Sequence, residues 1–412
     1  MIGFADVPPL IDVATARDIA LAQVSPIGTV RQLSLSEALG RVCARDVTAP
    51  CAMPFFTNSA VDGFAIRAAD LARTGPVLPV AGTVAAGASG PAALPAGTAM
   101  RIFTGAPLPG GADTVVALED AVETAGSVRL DALLSLGANV RLAGSDQPRG
   151  ACLLARGTRI APRHVGLLAA NGIGRIDVFR QPRIAVLSTG DELVGAGHRH
   201  GGQVHDANRP MLMALAAAAG AEVVDAGLLP DAVAPLSRRL ADLAATVDLV
   251  LTSGGVSMGG RDPLRPAFLA AGGQIAGWRV AVKPGKPVMF GRLGRTGFAG
   301  LPGNPMAALV GFHLFVTAQI ARLSGRDPAA FAPCRGRAEF SWQRRPGRQE
   351  VFPVRCLGLD AAGVPRLERL GTGVSATLFP LAGADGLASL PAPSTGVATG
   401  DLIDWHPFGP GE

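Results

Sequence analysis

The sequence predicts a multidomain chain of α/β class with additional β-rich domains. Three observations lead there. Between residues 183 and 330, short apolar runs alternate with longer amphipathic stretches, the pattern of strands joined by helices. On either side, short apolar runs are broken by Gly and Pro, the pattern of β-structure with tight turns. The chain has 412 residues, too many for one ordinary core, and its 54 Gly and 33 Pro argue against a helical bundle.

Residues 10–24 read as an amphipathic helix that starts near Asp12 and breaks at Ser25-Pro26. A short helix follows at 35–39, capped by Ser34 or Ser36. Residues 45–147 are β-rich, with runs at 77–80, 99–103, 114–118 and 127–130. The segment 148–180 is expected to return to helix, with Pro162 near the start of 163–171. From Arg183, strands are expected at 184–187, 222–225, 248–252, 287–290 and 297–299. Helices are expected at 209–219, 232–245, 263–271 and 305–323, the last with Asn304 as N-cap and Pro305 in its first turn. Such alternation implies a parallel sheet covered on both faces, a three-layer α/β domain. Residues 331–412 return to β character, with strands at 350–354, 387–390 and 401–405, and are expected to form a small barrel or sandwich.

The net charge of +5 favours anionic ligands. No dense Lys/Arg run with interleaved aromatics supports nucleic acid as the partner. The five cysteines form no C-x-x-C pair, which excludes the usual spacing of a structural zinc site and argues against a disulfide framework. Met1 to Pro9 carries Asp6 and no positive region, and the alanine-rich stretches are too short for a bilayer, so a cytoplasmic chain without a membrane partner is expected. The six histidines show no metal spacing, and no Walker A sequence is present.

In parallel sheets ligands bind beyond the carboxyl ends of the strands. Four loops of the α/β segment fall there. They are Ser188-Thr189-Gly190-Asp191-Glu192, the stretch from Thr252 through Ser253, Gly254, Gly255 and Ser257 to Gly259, Lys283-Pro284-Gly285-Lys286-Pro287, and Leu301-Pro302-Gly303-Asn304-Pro305. Glycines let backbone amides approach a phosphate, hydroxyls and carboxylates supply polar contacts, and the two lysines suit an oxyanion. Any one such loop is more often a plain turn. The weight lies in four of them at one sheet edge. Further candidates lie outside this segment: Asn58-Ser59-Ala60-Val61-Asp62-Gly63-Phe64-Ala65, Arg101 to Pro107 with Thr104, and Asp146.

At these positions, in this order and over nearly the whole chain, the sequence resembles the molybdopterin molybdenumtransferase family, which includes MoeA and the gephyrin E domain. The resemblance implies four domains: 1–44 plus 148–182, a β-rich domain at 45–147, an α/β molybdopterin-binding domain at 183–330, and a C-terminal β-barrel at 331–412. It also implies a homodimer whose cleft joins the third domain of one subunit to the second of the other. The implied reaction inserts molybdate into adenylylated molybdopterin, releases AMP and requires Mg²⁺. Carried over residue by residue, Glu192, Asp231, Asp262, Lys283 and Lys286 are the catalytic candidates. Ser188, Thr189, Gly190, Asp191, Ser253, Gly254, Gly255, Ser257, Pro302, Gly303, Asn304, Thr104, Asn58, Ser59 and Asp62 are candidates to bind the pterin. Glu192, Asp262 and Asp146 are candidates to hold the metal. Molybdopterin adenylyltransferase and recipient molybdoenzymes are the partner classes it brings with it.

The sequence departs from the family pattern at four places. Thr57 stands where an Asp is common, and Leu142-Ala143-Gly144-Ser145 precedes Asp146 where the family has an Arg-rich stretch. Pro263 follows Asp262, and Gly371-Thr372-Gly373 lacks a histidine. A hydroxyl at position 57 can hydrogen-bond but cannot neutralise a dication. That leaves a non-catalytic molybdopterin-binding or carrier protein as the alternative. A scaffold role, or a single-domain adenylyltransferase sharing the Ser-Gly-Gly loop, fits the β-rich flanks less well.

Overall fold

The computed structural model describes residues 9–87, 93–131, 135–256, 262–332 and 334–409. The chain divides into two compact units. One holds the N-terminal segment to Ala44, residues 157–161 and everything from Arg175 onward; the other holds Arg45–Arg156 and Pro162–Gly174.

The centre of the first unit is a six-stranded sheet in the order Glu222–Leu229, Arg183–Thr189, Leu249–Ser253, Thr296–Leu301, Met289–Leu293, Gln274–Trp278. The first four strands run parallel, and the last two are antiparallel to their neighbours, so the sheet is mixed rather than wholly parallel. The reason is local. Thr296–Leu301 returns from Met289–Leu293 through a two-residue turn at Gly294 (φ +60°), too short for the crossover a parallel pair needs. Leu249–Ser253 is buried along its whole length, as a central strand covered on both faces must be. One face packs on Leu212, Ala216 and Met306 through Ile320; the other packs on Leu236, Leu240, Leu264 and Phe268.

Pro305–Leu323 is one continuous helix with a π-helical stretch, Phe312–Val316, inside it. It is apolar and long enough to cross a membrane, but 89% of it is buried inside the protein, which makes it a core helix. Val13–Ala22 packs against the same core, with Asp12 capping it by accepting the Thr15 N–H at 2.9 Å.

Five strands close a barrel at the C-terminal end: Gln349–Leu359, Pro365–Arg369, Cys334–Ala338, Leu402–Pro407 and Gly386–Leu390, the last pairing back to the first. Phe352, Leu367, Ala388 and Trp405 fill it. The short strand Val282–Lys283 adds to Gln349–Leu359, with Lys283 opposite Glu350.

Residues 148–180 are less helical than the sequence suggests. Only Pro162–Ala170 is a helix, whereas Cys152–Leu154 and Arg175–Phe179 are strands. Arg175–Phe179 pairs with Val30–Ser34, a strand with no apolar signature because it is exposed.

The second unit holds another six-stranded sheet, ordered Thr114–Ala117, Gly63–Ile66, Ala99–Ile102, Val77–Val84, Ser127–Leu130, Ala121–Thr124. Gly63 is required there, since a Cβ would stand 1.9 Å from the Val116 carbonyl oxygen. The helix Pro162–Ala170 belongs to this unit, tied to it by a buried amide pair in which Gln147 Nε2 donates to Asn171 Oδ1 at 2.9 Å.

Candidate functional site

In chain order Arg183–Thr189 is followed by Glu222–Leu229 on one side of it and Leu249–Ser253 on the other. The direction of winding therefore reverses between Arg183–Thr189 and Leu249–Ser253. At such a switch point open α/β sheets bind ligands in a crevice beyond the carboxyl ends of the strands.

The crevice is built tightly. Gly254 and Gly255 have φ of +89° and +67°. A Cβ on Gly254 would stand 2.4 Å from the Thr189 carbonyl oxygen, so only glycine lets the two loops approach. Thr189 Oγ1 donates to Asp231 Oδ1 at 2.6 Å, and the Asp231 N–H donates to Asp191 Oδ1 at 3.0 Å. The ends of Arg183–Thr189 and Glu222–Leu229 are thereby linked. The Glu192 carboxylate folds back over Gly190. Asp262 Oδ1 accepts the Leu264 N–H at 3.2 Å and lies beside Gly255. Ser257 lies outside the described residues.

Ser188 and Ser253 act within the walls. Ser188 Oγ donates to Asp206 Oδ1 at 2.9 Å, and Asp206 in turn holds Arg209 at 2.9 Å. Ser253 Oγ accepts from Asn208 Nδ2 at 2.7 Å. The same Asn208 nitrogen donates to the Gly303 carbonyl at 2.7 Å, which joins the Ser253-Gly254 loop to the Pro302-Gly303 loop. Asn208 escaped the sequence reading, although a polar residue opening a helix just after Asp206 is a visible signal.

The third and fourth loops meet at a second pocket, about 290 Å³ in volume. Lys283, Lys286, Pro302 and Asn304 line it from the α/β side, and Arg348, Gly373 and Ser375 from the barrel side. The two lysines differ. Lys283 Nζ is 2.8 Å from Glu350, a buried carboxylate that Arg344 also holds at 2.9 Å. Lys286 has no carboxylate partner among the described residues. Asn304 occupies the N-cap position of the long helix, but its side chain does not cap; Nδ2 donates to Ser375 Oγ at 2.8 Å instead. The Met306 N–H meets the Ser375 carbonyl at 3.2 Å, which fastens the barrel loop to the helix start. Arg348 and Ser375 were not candidates from sequence, since each lies 62 residues or more from Lys286 and carries no motif.

The second unit gathers its own candidates. Asp62 Oδ1 accepts the Thr104 N–H at 2.7 Å and the Thr104 hydroxyl at 3.0 Å, and these two bonds hold the Asp62 carboxyl below its ordinary range. The Ser59 N–H donates to Ala106 at 3.1 Å, and the Gly105 N–H to Ser59 at 2.9 Å. The Asn58 segment and the Thr104 loop are therefore one structure. Thr57 and the segment around Asp146 also touch: the Ala143 N–H donates to Thr57 Oγ1 at 3.2 Å, and the Asp146 N–H to Met53 at 3.1 Å. The two departures at 57 and 142–145 are thus neighbours. Phe55, Phe56, Phe103 and Leu142 are exposed around these loops.

Comparison with known proteins agrees with this arrangement. Residues 11–172 match the MoeA N-terminal region (domain I and II), 185–322 a probable molybdopterin binding domain, and 335–408 the MoeA C-terminal region (domain IV). A molybdopterin molybdenumtransferase of Haemophilus influenzae is 40% identical over 313 residues, 76% of this chain and 77% of that protein. Molybdopterin molybdenumtransferase 2 of Mycobacterium tuberculosis is 35% identical over 379 residues, covering 90% and 93%. Among solved structures, a molybdopterin biosynthesis moeA protein from Pyrococcus horikoshii OT3 superposes with a TM-score of 0.83 at 24% identity over 97% of this chain and all of that one, a likeness of fold. Another Pyrococcus moeA structure gives 0.79 at 27% identity, covering 96% and 98%. With a glycine-walled crevice at the switch point, a basic pocket beside it and relatives matched along most of its length, the chain belongs to the molybdopterin molybdenumtransferase (MoeA) family.

Proposed function

We propose that the chain transfers molybdenum from molybdate to adenylylated molybdopterin and releases AMP. The observation that carries this reading is the pairing of two sites in one unit. A backbone cradle at Gly254-Gly255 suits a phosphorylated pterin, and the pocket of Lys286, Arg348 and Ser375 suits a small oxyanion. Lys286 is the cation available to a substrate, while Lys283 is held by Glu350 and positions the loop. In the reaction an oxygen nucleophile adds at phosphorus and the bridging oxygen of the phosphoanhydride leaves with one phosphate. Lys286 and Arg348 offset the negative charge that accumulates. Asp231, oriented by Thr189, is placed to accept a proton or hold a water at the crevice.

Mg²⁺ fits the donor set, because the side chains at the strand ends are carboxylates and hydroxyls. Among the described residues no three His, Cys, Asp or Glu converge, so Glu192 or Asp262 would supply one or two ligands and substrate phosphates and water the rest. When bound, the cation would neutralise phosphate charge. Asp146 belongs to the second unit. A cytoplasmic homodimer is part of the same reading, and the exposed Phe55, Phe56, Phe103 and Leu142 beside the Asp62–Thr104 pair support a covered surface there.

The alternative, a carrier that binds molybdopterin without inserting metal, is favoured by Thr57 and by the Leu142–Ser145 segment that lacks the family's arginines. The Thr57 hydroxyl accepts the Ala143 N–H, a bond an Asp carboxylate would also accept. The experiment is AMP release from adenylylated molybdopterin by the purified protein with Mg²⁺, with and without molybdate. Molybdate-stimulated release is expected. Tight binding without release, restored by Thr57→Asp, would establish the carrier instead.

A further inference from the structure

A cavity of about 190 Å³ lies at the far end of one helix that begins at the candidate site and along the second half of another. Asn208–Ala218 starts beneath Ser253 and Gly303 and ends at the cavity with Ala218. The helix that starts at Pro305 turns His313 and Thr317 to the same space. At 1.5 Å per residue, roughly 16 Å of helix separates this cavity from the crevice.

Its lining contains Arg17, Arg159, Arg326, His313 and His406 and, among the described residues, no acidic side chain. Arg17 donates to the carbonyls of Pro328 and Ala329. Arg159 donates to those of Gly40 and Ala218, each at 3.3 Å. Neither meets a carboxylate among the described residues, and the Arg326 guanidinium has no hydrogen-bond partner among them. Burial, and then the charge of Arg159, hold Arg326 below its ordinary value. His313 is 5% exposed, and neither ring nitrogen has a hydrogen-bond partner among the described residues. Burial, with His406 beside it, lowers its pKa to about 3, so the ring is neutral and has one N–H to donate. It sits in the π-helical turn, a distortion common at functional positions.

Arg17 and Arg326 are half-buried and Arg159 is exposed. Cations that line one cavity without a carboxylate partner among the described residues concentrate positive potential, and a buried polar ring with no partner among them costs stability. One occupant relieves both. Guanidinium forks match tetrahedral oxyanions, and a neutral imidazole donates a further bond. The volume is below the roughly 300 Å³ at which organic-ligand pockets begin, and Phe331 and alanines close the remainder. We propose that this cavity is a second anion site, which takes a small tetrahedral oxyanion, free or as the phosphoryl end of a small molecule, on Arg159, Arg326 and His313.

The test uses the full chain carrying Lys286→Ala, which weakens the pocket beside the crevice. Inorganic phosphate, molybdate and AMP are each titrated by calorimetry, and thermal unfolding is followed with and without phosphate. Saturable binding with Kd below about 1 mM is expected, weakened at least about tenfold by Arg326→Gln. Binding of phosphate or molybdate but not AMP would make the ligand a free oxyanion; tighter binding of AMP would make it a phosphoryl group. Arg326→Gln should also raise Tm without anion, because it removes repulsion with Arg159, and should abolish the rise that phosphate produces. The proposal fails if none of the three anions binds saturably at millimolar concentration. It fails equally if Arg326→Gln binds phosphate as the parent does, lowers the anion-free Tm, or changes the sedimentation mass. The last result would mean that a second copy of the chain fills the cavity.

Discussion

Asn208→Ala tests whether the crevice depends on one buried amide. Asn208 is 7% exposed, and its Nδ2 donates to Ser253 Oγ and to the Gly303 carbonyl, both at 2.7 Å. Each such bond contributes about 0.5–1.5 kcal/mol net, and both are lost together. Alanine in the first helical turn gains a few tenths of a kcal/mol in propensity, which offsets little. A local loss of about 2 kcal/mol follows, equivalent to roughly a 30-fold rise in opening. The effect is local to one loop pair, and global denaturation of a chain of two units would dilute it. The assay is therefore amide hydrogen exchange at Gly254, whose N–H donates to Leu301 at 3.1 Å across the two loops. Steady-state kinetics should show the defect mainly in KM, because Asn208 holds the walls rather than the reacting atoms. Gly254 exchange within twofold of wild type would refute the reasoning.

Gly254→Ala should retain overall secondary structure by circular dichroism yet lose most pterin affinity by calorimetry. Its φ of +89° costs a side chain about 1–2 kcal/mol, and the Thr189 carbonyl must also move. The two lysines should separate: Lys286→Ala is expected to change stability by no more than about 0.5 kcal/mol while weakening molybdate binding at least about tenfold. Lys283→Ala should lower stability by about 1 kcal/mol, because it removes one of the two cations on Glu350, although the exposure of the lysine limits the loss. Denaturant titration beside molybdate titration distinguishes them. Asp62 sets a pH window: its folded-state pKa is depressed by Thr104, so the stabilisation is present above the ordinary value of 3.8 and is lost as pH falls through the lower folded value. Thr104 amide protection should therefore persist from neutral pH down to about 4 and disappear only in stronger acid.

Much of the α/β segment was legible because its strands are short, apolar and bounded by glycines, and its helices carry a 3.6-residue period. Exposed Val30–Ser34 lacked that contrast and was missed. Cys152–Leu154 and Arg175–Phe179 were taken for helix because short mixed segments carry no decisive period, and pairing with distant partners decided them. The polarity of Met289–Leu293 could not be read either, since direction comes from a partner strand rather than from composition.

At the site, the sequence alone determined which loops hold glycines, acids and lysines, and their order along the chain resembled one family closely enough to imply a chemistry. Only the tertiary structure decided the use of each group. Ser188 and Ser253 were drawn into the walls, Asn304 was turned from its helix toward Ser375, and Lys283 was occupied by Glu350 while Lys286 was left available. It also brought Arg348 and Ser375 to that lysine and set Arg159 beside Arg326. Such pairings join residues tens to hundreds of positions apart, and no local pattern encodes them, because packing of the barrel and the helices onto the sheet chooses each partner.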